Sequence, residues 1–105
     1  MKTMKKSPKE SSDLLYECIL QLGSVEECRK FFQDLCTVSE LCAMEQRIEV
    51  AMYLHKGMIY NDILERTGAS SATISRVNRC LRYGAEGYQT VLPRVMDAID
   101  PSKEG

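Results

Sequence analysis

The sequence predicts an all-α fold. Apolar residues recur at helical spacing along most of the chain, and two sequences of the form Ser/Thr-x-x-Glu mark helix starts. Three prolines, six glycines and no tryptophan leave little material for a turn-rich β fold. Nothing alternates with the period of a strand, and no internal repeat is visible. At 105 residues the chain has the size of one small domain.

Residues 1–8 are polar and lysine-rich and read as a flexible basic arm. Leu14, Leu15, Cys18, Ile19 and Leu22 then form one face of a helix that ends at Gly23. Ser24 and Glu27 form a capping box that opens a second helix, with Cys28, Phe31, Phe32 and Leu35 on its apolar face. Thr37 and Glu40 form another. The helix they open is the longest, running through Leu41, Met44, Ile48, Ala51, Met52 and Leu54 to a stop at Gly57.

Beyond Gly57 the elements shorten. A helix from Tyr60 to Arg66 turns Ile63 and Leu64 inward, and Thr67-Gly68-Ala69-Ser70 breaks it. A second spans Ser71 to Leu81, with Ala72, Ile74 and Val77 inward. The last runs from Tyr88 to Ile99, where Pro93 should kink it or delay its start. One helical domain therefore covers 9–100, with a helix-turn-helix at about 59–82 and a loose tail over 101–105.

Composition narrows the function. Apolar residues at 44% and charged residues at 28% exclude the disordered classes. No apolar run nears the roughly 18–20 residues of a membrane span, and no signal-peptide stretch follows the N-terminus. The chain reads as soluble and cytoplasmic, without a membrane partner. Five cysteines (Cys18, Cys28, Cys36, Cys42, Cys80) contain no Cys-x-x-Cys, and the one histidine, His55, cannot complete a zinc set. No metal or cofactor is expected, and the cysteines read as buried, reduced and apolar in role. His55 is placed to interact with the carbonyl end of its helix. Without a catalytic Ser/His/Asp order, a phosphate-cradling loop or paired carboxylates, an enzyme is not expected.

The net charge of −1 conceals an asymmetry. Residues 1–10 carry +3, 11–57 carry −4, 58–94 carry +2 and 95–105 carry −2. A local basic face is what a polyanion responds to. No acid lies between Glu65 and Glu86, and two short helices joined through Gly68 form the helix-turn-helix pattern. Gly68 supplies a positive φ where the chain leaves the first helix, and Ser70 caps the second. The second helix then offers Ser70, Ser71, Ala72, Thr73, Ser75, Arg76 and Arg79 to double-stranded DNA. Short hydroxyls fit close to phosphates and base edges, while arginines fork onto guanine or phosphate. One such unit is too small for tight specific recognition. A homodimer on a near-palindromic operator follows, with Phe31, Phe32, Leu35 and Leu41 in the interface between copies.

Leu35-Cys36-Thr37, the spacing from Thr37 to Arg47, Gly57, and Gly68-Ala69 leading into Ala72-Thr73-Ile74-Ser75-Arg76 carry a resemblance. Over roughly Leu14 to Val95 the chain resembles the bacterial Trp repressor family (TrpR), and more closely its YerC/YecD-type branch. That resemblance implies an intertwined homodimer of helices with a helix-turn-helix head on each side, and a sequence-specific transcriptional regulator that represses. It also places Thr37, Arg47 and Arg76 where Trp repressors frame their tryptophan corepressor. Val77 replaces the glycine that follows the recognition-helix arginine, Cys80 replaces a serine, and the stretch from Gly57 to Gly68 is one residue shorter. Tight tryptophan binding is accordingly not expected. A carboxylate-bearing metabolite held by Arg47 and Arg76 is the other effector class, and Arg47 could instead pair with Glu45 or Glu49. The alternative function is a helical oligomeric adaptor that binds protein and not DNA.

Overall fold

The computed structural model describes residues 12–99, and among them no strand occurs. The helices are α1 (Leu14–Leu20), α2 (Val25–Leu35), α3 (Val38–His55), α4 (Tyr60–Thr67), α5 (Ser71–Tyr83) and α6 (Gly87–Ile99). The all-α expectation holds. The arm at 1–8 and the tail at 101–105 lie outside the described residues. Two compact units divide the chain, one up to Val38 and one from Ser39 onward.

In the first unit α1 stops at Leu20, three residues before Gly23. The amides of Gln21 and Leu22 donate to the carbonyls of Cys18 and Ile19 at 3.0 and 3.1 Å, and these three-residue bonds tighten the end of the helix. Ser24 starts α2, its hydroxyl accepting from the Glu27 amide at 3.1 Å. The Glu27 carboxylate accepts from the Gly23 amide at 2.8 Å, so the box reaches one residue further back than the usual pattern. Phe31 and Phe32 meet edge to face with ring centres 5.4 Å apart. Neither α1 nor α2 buries a residue, and Leu14, Leu15, Leu20, Val25 and Leu35 are exposed.

The second unit contains the core. Val50 and Ala51 of α3, Ile63 of α4, Ala69, Ile74 and Val77 of α5 and its approach, and Leu92 of α6 are buried together. The 18 residues of α3 make it the longest helix, and it is closed by Gly57 at φ +86°. His55 lies in its last turn, as the sequence suggests.

α6 begins at Gly87 and continues through Pro93, so the delayed start, one of the two effects expected of the proline, does not occur. Proline lacks the amide that would bond the Gln89 carbonyl four residues back and its ring crowds that carbonyl, and both residues are exposed. The Gln89 amide nitrogen donates to the Leu81 carbonyl, tying the start of α6 to the end of α5. All five cysteines are free. None is buried, contrary to the sequence reading: Cys18, Cys28 and Cys36 are half-buried, and Cys42 and Cys80 are exposed. Helices α1 and α2 enclose no core, and Cys42 and Cys80 occupy outward positions of α3 and α5.

Candidate nucleic-acid interface

The turn from α4 to α5 is closed by hydrogen bonds. Gly68 takes φ +70° and ψ 9°, and its amide donates to the Leu64 carbonyl at 3.0 Å. A left-handed residue satisfies the last carbonyls of a helix, and glycine does so without a Cβ penalty. The Thr67 hydroxyl donates to the Ile63 carbonyl at 2.7 Å and accepts from the Ala69 amide at 3.1 Å. Gln46 of α3 donates to the Thr67 carbonyl at 3.2 Å. The path into α5 is thus held from both sides of the turn. Gln46 and Thr67 escaped the sequence reading. A threonine directly before a helix-ending glycine was the available signal for Thr67, and nothing marked Gln46 among the polar residues of α3.

Ser70 caps α5 as expected, its hydroxyl accepting from the Thr73 amide at 3.1 Å and donating to Thr73 Oγ1 at 3.1 Å. Both hydroxyls are therefore engaged in the cap, and Thr73 is half-buried. Ser71 is exposed in the first turn. Ala72 is exposed too, not inward. It lies about 200° around the helix from Ile74 and 140° from Val77, at roughly 100° per residue, so it cannot share their buried side. Ile74 and Val77 are each only 1% exposed.

Ala72, Ser75, Arg76 and Arg79 occur at i, i+3, i+4 and i+7 and line one shallow concavity with Cys80. Neither arginine pairs with a carboxylate among the described residues, and α5 itself contains no acid. Of the residues expected to face DNA, the structure gathers these four on one open surface and turns Ser70 and Thr73 to the cap.

Thr37 belongs to the first compact unit, and Arg47 and Arg76 to the second. Arg47 is half-buried on α3 and makes no ion pair with Glu45 or Glu49. It does not line the concavity that contains Arg76. Val77 points into the core, as its spacing from Ile74 predicts.

Helices, turn and open cationic face together define a helix-turn-helix protein. The chain belongs to the Trp repressor family: residues 10–96 match the Trp repressor protein family. It is 51% identical over 85 residues to the uncharacterized protein YerC of Bacillus subtilis (strain 168), covering 81% of this chain and 82% of that protein. A crystal structure of a candidate Trp repressor from Staphylococcus aureus superposes with a TM-score of 0.76 at 46% identity, over 79% of this chain and 83% of that one. A TrpR-like protein from Eubacterium eligens ATCC 27750 gives 0.75 at 48% identity, over 79% and 86%.

The turn makes two substitutions informative. Gly68→Ala places a Cβ in left-handed backbone and should cost about 1–2 kcal/mol. Thr67→Val keeps the shape but leaves the Ala69 amide without its acceptor, at about 1–3 kcal/mol. Urea unfolding at one fixed protein concentration should show both losses as a lower midpoint with an unchanged slope.

Proposed function

We propose that this protein is a sequence-specific DNA-binding transcriptional regulator, a cytoplasmic repressor that reads a near-palindromic operator as a homodimer through α5. One observation carries the proposal. The back of α5 is locked into the core by Ile74 and Val77, while its front presents Ser75, Arg76 and Arg79 with no acid among them. A helix fixed at the back and cationic at the front is what the major groove accepts. Repression then follows from occupancy, since a dimer seated on an operator excludes other proteins from that stretch of DNA.

A second copy is part of the proposal because the chain leaves so much apolar surface open. Phe31, Phe32 and Leu41 are half-buried and Leu35 is 51% exposed. Burying these against a partner would supply the core that α1 and α2 lack. Reading two half-sites one turn of the duplex apart would then require recognition helices about 34 Å apart.

The head needs no tryptophan in this account. Where an indole ring would need close approach to the backbone of α5, Val77 is branched at Cβ and stiff at χ1, and its side chain belongs to the core. Moving it aside to admit a ring would cost on the order of 1–3 kcal/mol, one to two decades of affinity.

Three measurements check these statements. Fluorescence anisotropy with a mixed-sequence duplex should show affinity falling steeply between about 50 and 200 mM salt. Arg79→Ala should lower that affinity for every duplex if it meets phosphate, or relax one base position by about 1–3 kcal/mol if it reads guanine. A flat salt response would favour the protein-binding adaptor. Light scattering at micromolar concentration should give twice the 11.9 kDa chain mass, and a stable monomer would contradict the dimer. Calorimetry with free tryptophan should register no micromolar binding, and a micromolar site that tightens DNA association would show the pocket to be open.

A further inference from the structure

The cationic stripe does not end at Arg79. Arg82 lies three residues further on and Tyr83 four, so Tyr83 falls in line with Arg76 and Arg79 on the front of α5. Leu81 is half-buried against the core, on the opposite side of the helix from Tyr83. Tyr83 is 81% exposed. Its phenol and the Arg82 guanidinium make no hydrogen bond or ion pair with a described residue. An exposed phenol at the tip of a cationic helix, with no hydrogen-bond partner among the described residues, is placed for a polar partner.

Helix geometry says which one. From Ala72 to Tyr83 the helix rises about 16 Å, while the major groove is about 12 Å wide. With the N-terminal turns at the base edges, the last turn stands at the groove lip, where the phosphates are. The chain then leaves at once. Gly84 takes extended backbone at φ −87° and ψ −154° and ends α5 directly after Tyr83, whose side chain stays open. We propose that Arg82 and Tyr83 form a phosphate clamp at the edge of each half-site, with the guanidinium and the phenolic O–H both donating to the DNA backbone. The clamp rests on the DNA-binding reading above and extends its footprint beyond Ser70–Arg79. It fixes how deeply α5 enters the groove and carries no sequence information of its own.

The test compares wild-type protein with Tyr83→Phe and Arg82→Ala on two short duplexes, one selected for binding and one scrambled, across a salt series. Tyr83→Phe removes only the hydroxyl and should weaken binding roughly fivefold on both duplexes, with the salt slope unchanged. Arg82→Ala should flatten the slope by about one unit, and Arg82→Lys should restore it. Should Arg82→Ala fail to fold, Arg82→Gln keeps the length, loses the charge and carries the same expectation. Wild-type affinity and slope in both variants would overturn the clamp while leaving the DNA-binding reading intact. A loss confined to the selected duplex would overturn it as well, because phosphate contacts cannot discriminate. Wild-type protein without salt-dependent binding would overturn the reading itself, and the clamp with it.

Discussion

Everything proposed for this protein depends on how α5 is rotated about its own axis. Ile74 and Val77 lie on one side of the helix and are buried with Ile63, Val50, Ala51 and Leu92. A rotation by a single residue, about 100°, would bring polar or charged side chains into that core. Burying an unpaired guanidinium costs several kcal/mol, far more than any gain from repacking small apolar groups. The core therefore holds Ser75, Arg76 and Arg79 outward, and the hydrogen-bonded turn through Thr67 and Gly68 sets where the helix begins.

The same core separates the two compact units energetically. From Ser39 onward the chain encloses fully buried side chains from four helices. The unit up to Val38 encloses none, and its helices of 7 and 11 residues are shorter than the roughly 12–15 that are marginally stable alone in water. Local bonds at Ser24, Glu27 and Gly23 define where α2 starts but cannot replace apolar burial. Under the dimer proposal the partner supplies that burial, so folding of this unit and assembly are coupled. Stability then depends on protein concentration.

The legible parts of the sequence were those that local chemistry decides. Ser24, Ser70, Gly57 and Gly68 each act within a few residues of themselves, and the structure finds each at the helix end it marks. The Ile74 and Val77 spacing likewise gave the buried side of α5. Ala72 was misplaced because a small side chain is at home on either side of a helix and defines no face. The end of α1 was overestimated because Leu22 fits the apolar period although the last bonds are of the tighter kind. The delayed start expected from Pro93 does not occur, since α6 accommodates the missing amide at an exposed position. Gln46 acts on a residue 21 positions away, which only the folded chain reveals.

Selection of bound duplexes from a random DNA pool tests the central claim most directly. A helix fixed by its buried back and doubled by a second copy should enrich a near-palindromic site, with half-sites centred about one helical turn apart and without any small molecule added. A pool that stays random after repeated rounds, or that becomes enriched only when an effector is supplied, would contradict a reading head that the core alone holds in place.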